Sequence, residues 1–90
     1  MEPPLTKSKG KVKFNGHYES WFSMRLTLAP PIKAPGRHVD KRGIVLDKDG
    51  YIIVATTLVK MGETIETSLG MGKRYDFTSF ADLVNIYTNW

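Results

Sequence analysis

Between Gly36 and Gly50 the chain gathers His38, Asp40, Asp47 and Asp49, one of its two histidines and three of its five aspartates. Carboxyl and imidazole groups carry protons in general acid–base catalysis, so this stretch and the later Asp76 are where such chemistry is sought first. Each has a plainer role beside the chemical one. Asp47 and Asp49 precede Gly50 and most economically shape a turn, because an Asp side chain bonds nearby backbone amides. His38 in a polar loop reads first as an ordinary hydrogen-bonded histidine, and Asp76 as a turn former or a partner of Arg74. His17, His38 and an aspartate lack the spacing of a metal site, and nothing in the chain asks for a metal or cofactor. With no cysteine, thiolate chemistry, disulfides and Cys-ligated zinc are excluded. Gly70 and Gly72 before Lys73 lack the spacing of a phosphate-binding loop and the helix behind it.

The elements that must position these groups read as short strands. Residues 1–10 look like a flexible basic leader without a packing pattern, and 11–90 as one domain. Lys11 to Phe14 alternates polar and apolar, Asn15-Gly16 is a strong hairpin signal, and His17 to Phe22 resumes an aromatic-rich strand. Met24 to Leu28 continues extended, and the prolines from Pro30 to Pro35 with Gly36 forbid a regular helix or central strand. Asp49-Gly50 joins two β-prone segments, Gly43–Leu46 and Tyr51–Ala55, as a second hairpin. Thr56 to Lys60 reads as a turn or helical step, Met61-Gly62 as a bend, Thr64 to Thr67 as a strand, and Gly70-Met71-Gly72 as a break. At the far end two readings compete. Phe80, Leu83, Val84 and Tyr87 fall at helical spacing behind Ser79 as N-cap, whereas Val84 to Thr88 is β-prone.

At 90 residues the chain is one domain that buries about 60–65% of its unfolded surface. A hydrophobic content of 41% excludes wholesale disorder. No window supplies a membrane span, and the N-terminal residues lack the apolar core of a secretory signal. The net charge of +4, with Lys7, Lys9, Lys11 and Lys13 alternating, suits a solvated face or an anionic partner such as a cell-wall polymer or nucleic-acid phosphate. Short strands with frequent glycines predict a small mainly-β barrel, whose closure hides strand edges.

Several motifs in order carry a family resemblance: Gly36 to Asp40, Asp47 to Ala55, Thr67 to Lys73, Tyr75-Asp76, and Ile86 to Trp90. From about Lys11 to Trp90 the chain resembles the 3D-domain-like double-psi β-barrels found in bacterial and phage cell-wall-degrading proteins. The resemblance implies a six-stranded barrel with two crossing psi loops and at most one or two short helical turns, with Val84 to Thr88 as a strand. It further implies a monomer at the cell wall or in a phage particle, acting on peptidoglycan glycan strands by lytic transglycosylase chemistry. In that chemistry the sugar's own hydroxyl attacks, so a single acid/base group suffices. Carried over residue by residue, Asp76 takes the acid/base position and Asn85 the position of the second aspartate; beside them His38 is read, like Asn85, as a positioning group of the catalytic site and Asp40 as a further catalytic candidate. On that reading Arg37, Tyr75, Tyr87 and Trp21 are candidates to contact substrate, the aromatics by stacking on sugar rings.

The match has departures. Asn85 stands where the family has a second aspartate, Phe77-Thr78 replaces Thr-Gly, and Leu46 and Ser79 replace cysteines of closer relatives. An amide cannot deliver a proton. Three readings therefore stand: a glycan-cleaving domain, a catalytically silent or redesigned barrel serving as a glycan-binding or scaffold domain, and, less favoured, a basic barrel that binds single-stranded nucleic acid.

Overall fold

The computed structural model describes residues 4–23, 34, 36–78 and 80–90. The extended segment expected over 24–28, most of the proline loop and the Ser79 cap lie outside the described residues. The fold is mainly β. Among the described residues there are eight strands: β1 (Lys11–Phe14), β2 (His17–Ser23), β3 (His38–Val39), β4 (Val45–Leu46), β5 (Ile52–Thr56), β6 (Thr64–Thr67), β7 (Gly70–Asp76) and β8 (Leu83–Thr88). No helix forms among the described residues.

Local turn chemistry makes the hairpins. Asn15 and Gly16 both have positive φ, 49° and 82°, which matches a tight two-residue turn to the twist of β1 and β2. Asp47 builds the second bend: its Oδ1 accepts from the amides of Asp49 (2.9 Å) and Tyr51 (3.0 Å), with Gly50 at φ 88°. β4 and β5 then pair antiparallel.

β8 lies between β2 and β5, parallel to the first and antiparallel to the second. β7 runs parallel to β5 on its other side and carries β6 at the outer edge. Among the described residues the strands form an open mixed sheet of eight, in place of the closed barrel of six the resemblance implies. The difference arises at β5. One of its edges is held by β7, while the other is shared, Ile52 pairing with β4 and Val54 to Thr56 with β8. Every residue of β5 is buried, and its side chains alternate between two apolar layers. Ile52 and Val54 join a layer with Leu5, Val12, Ile44, Val84 and Ile86, while Ile53 and Ala55 join Val45 and Tyr87.

Two local expectations are corrected. The described part of the expected leader, residues 4–10, is not without packing: Leu5 is buried in the first layer, and its amide donates to Ser68 Oγ at 3.1 Å. A single apolar side chain has no period by which to announce itself. Gly70-Met71-Gly72 is not a break but the start of β7, and the turn falls at Ser68-Leu69. Gly72 is there for close approach, since a Cβ at that position would lie 3.0 Å from Val54 Cγ1 and 3.3 Å from Thr67 Cγ2. The competing readings of the chain's far end resolve as strand β8, because Val84 and Ile86 face one layer and Tyr87 the other.

Candidate functional site

The site is organised by an irregularity in β7. Val54 is in register with Arg74 but Ala55 with Asp76, so Tyr75 is the extra residue of a bulge. Because of it, two successive side chains, Tyr75 and Asp76, meet the Tyr87 layer. Ala55 is also opposite Asn85 in β8, and Asn85 is opposite Ser20 in β2. Asp76, Ala55, Asn85 and Ser20 thus form one row across four strands. The short Ala55 side chain leaves Asp76 and Asn85 as the polar groups on either side of it.

Asp76 is half-buried at the end of β7. Its Oδ1 accepts from the Phe77 amide at 2.8 Å, and its Oδ2 receives a long 3.4 Å bond from the Tyr87 hydroxyl. Burial first, and then the neighbouring Asp76 charge, pushes the Tyr87 hydroxyl up to about 12, so the phenol keeps its proton through the neutral range. The Arg74 guanidinium donates instead to the carbonyls of Val59 (2.7 Å) and Asp76 (3.1 Å); among the described residues it makes no ion pair with the Asp76 carboxylate. Asn85 Oδ1 accepts from Ser20 Oγ at 2.9 Å.

The remaining predicted residues are dispersed. His38 is exposed, shares its register row with Leu46 and Ile52 of the other layer, and holds the Gly36 carbonyl through Nδ1 at 2.9 Å. Asp40 builds the bend before β4: it accepts from the Ile44 amide (3.1 Å), the Arg42 amide (2.8 Å) and the Arg42 guanidinium (2.8 Å). Partial burial pushes its carboxyl up, but those donors outweigh it and hold the pKa below the usual 3.8. A carboxyl so held is ionised near neutral pH and is poorly suited to donate a proton. Trp21 packs edge-on against Trp90 in the other layer, centroids 5.6 Å apart, and Arg37 is exposed. Tyr75 donates to Asp47 Oδ2 at 2.8 Å, which ties β7 to the second hairpin.

One polar cluster went unforeseen. Glu19 is fully buried and accepts from the Ser68 amide (2.9 Å) and the Ser68 hydroxyl (2.6 Å), with His17 Nε2 at 3.1 Å. Its only local signal is the His17-x-Glu19 spacing, which puts both side chains on one side of a strand; Ser68 is joined through tertiary pairing alone. Compared with known proteins, the chain matches no family model, no curated protein and no solved structure.

Proposed function

We propose that this chain is a glycan-strand-cleaving domain related to the 3D-like group, acting on peptidoglycan with Asp76 as its acid/base group. The observation that carries the reading is the shared register at Ala55, with the Asp76 carboxyl on one side and the Asn85 amide on the other. Two parallel pairings, β2 with β8 and β5 with β7, also support it, since parallel neighbours require crossing connections and cannot be joined by hairpins. In the step proposed, Asp76 gives its proton to the bridging oxygen as the C1–O bond breaks. The C6 hydroxyl of the same sugar attacks C1 and returns its proton to Asp76. No water is consumed and one carboxyl serves throughout. Tyr87 and the Phe77 amide orient that carboxyl, and the Asn85 side chain positions sugar.

The Asn85 amide favours a second reading, a silent domain that binds glycan without cutting it, because an amide supplies no charge to a developing oxocarbenium ion. Incubating the protein with purified sacculi and examining the products by mass spectrometry separates the two. Cleavage releases anhydro-muropeptides, Asp76→Asn lowers their yield by about 100-fold or more, and Asn85→Asp raises it. Unchanged turnover in a folded Asp76→Asn variant removes the acid/base role, and binding without products establishes the silent reading.

A further inference from the structure

Where β8 begins, one side of the sheet gathers positive charge that the cleavage site does not use. Lys11 pairs with Ser20 and Lys13 with Tyr18, and Tyr18 pairs in turn with Leu83, so these five side chains stand on one side of three strands. The other side of the same strands holds Val12, Glu19 and Val84, all buried. Lys11 Nζ lies 4.8 Å and Lys13 Nζ 5.7 Å from the centroid of the Tyr18 ring. Both lysines are exposed, and among the described residues neither ammonium forms an ion pair with a carboxylate. Two cations over one ring repel each other, and an anion that meets both relieves that repulsion. Lys7 and Lys9, also exposed, precede them in the chain.

Beside Lys11 is a cleft of about 160 Å³, lined by Lys11, Tyr18, Ser20, Phe80, Asp82 and Leu83; Lys13 does not line it. Its walls are tied together, because the Tyr18 amide donates to the Asp82 carbonyl at 2.8 Å. Phe80 is 65% exposed and Tyr18 37%, so two aromatic rings border the cleft in contact with solvent. The Asp82 carboxylate has no hydrogen-bond or ionic partner among the described residues.

We propose that the cleft and the lysines beside it bind single-stranded nucleic acid, with one base in the cleft and neighbouring phosphates on Lys11 and Lys13. This binding is independent of the cleavage proposed above. Net charge alone does not choose among anions, but the cleft does. A polyanion without rings makes no use of Phe80, and an anionic lipid surface sets its phosphates against Asp82. A base offers a planar ring to Phe80 and Tyr18 and N–H donors to Asp82. Guanine suits that carboxylate best, since its N1–H and amino group lie side by side where thymine has one N–H. The cleft is well below the roughly 300–1,000 Å³ of a drug-sized site and takes one base at a time. Lys11 and Lys13, two residues apart on an extended strand, are about 7 Å apart and can meet successive phosphates. In a duplex the donor edges are already paired, so the site requires a single strand.

Fluorescence anisotropy on the full chain with labelled strands of about twelve nucleotides tests this. A strand alternating dT and dG binds at least about fivefold more tightly than oligothymidylate, and Asp82→Ala removes that preference. Plotted log against log, affinity falls with salt at a slope of about −1.4 or steeper, and Lys13→Ala makes the slope shallower by about 0.7. Phe80→Ala weakens binding by about fivefold or more and leaves the slope unchanged. Because Phe80 is exposed, its removal leaves the urea midpoint where it was. Lys48→Ala, in the exposed turn between β4 and β5, changes neither affinity nor slope. No binding at about 50 mM salt, where phosphate contacts are strong, overturns the proposal. Equal binding of duplex or of polyglutamate overturns it too, as does a loss with Lys48→Ala equal to that with Lys13→Ala; each marks charge attraction with no base in the cleft. Parent-like affinity in Phe80→Ala has the same meaning. Binding to phosphatidylglycerol vesicles without binding to either oligonucleotide overturns it in favour of a membrane surface.

Discussion

Asp47 has no exposed surface, yet its carboxylate receives the amides of Asp49 and Tyr51 and the Tyr75 hydroxyl. Burial pushes its pKa up, but these donors and the charge of Lys73 outweigh it and hold the group below 3.8. Near that value the unfolded chain binds more protons than the native one, so the contribution is complete above about pH 4 and is lost as pH falls through the depressed native pKa. Tyr75 behaves oppositely. Burial, then its bond to Asp47, raises it from 10.0 to about 12, so its contribution is complete below pH 10 and disappears as pH climbs towards 12. Tyr75→Phe should therefore cost about 2 kcal/mol at neutral pH, because a buried carboxylate loses a donor, and should flatten the decline in stability between pH 10 and about 12. Urea denaturation across that range measures both, and an alkaline slope equal to that of the parent contradicts the assignment. The same pair leaves the Tyr75 hydroxyl committed to Asp47.

At the level of elements, β5 is the strand on which both layers depend, and Gly72 is what lets β7 approach it. Gly72→Ala separates that role from a loop-like break by sign. A break with ordinary φ would gain about 0.4–1 kcal/mol from a stiffer unfolded chain, whereas the close approach to Val54 and Thr67 should cost about 1–3 kcal/mol. Chemical denaturation decides. This contrast also marks what the sequence could disclose. Asn15-Gly16 and Asp49-Gly50 were readable because turn chemistry is written in adjacent residues, and the β5 run was readable as continuous apolar character. Gly70 to Gly72 reads as a break in the sequence because a glycine that ends a strand and one that admits a neighbour look alike without the neighbour. β8 carried helical and extended spacing at once, and only its two partners decide between them. In the site, Asp76 and Asn85 could be singled out, but not the bulge that turns Tyr75 and Asp76 to one layer, since a bulge is a mismatch between two strands.

For the molecule as a whole, cohesion comes from pairings distant in sequence. Glu19 joins β2 to the Ser68 turn, and Ser68 in turn holds the Leu5 amide. Leu5 is thus part of the core. Deleting residues 1–6 should lower stability by about 2–3 kcal/mol, the burial of one leucine plus a hydrogen bond, visible as a lower urea midpoint. An unchanged midpoint would mean that Leu5 contributes nothing to the first layer. Such long-range pairing also predicts slow folding relative to helical chains of this size.

The position of β8 between β2 and β5 bears on synthesis. Until the ribosome has released residues 83–88, both neighbours have open hydrogen-bonding edges, and the Asn85 half of the row is missing. A nascent chain stalled before Leu83 is therefore sticky and lacks β8, so any activity of the proposed site can arise only after translation has passed Thr88.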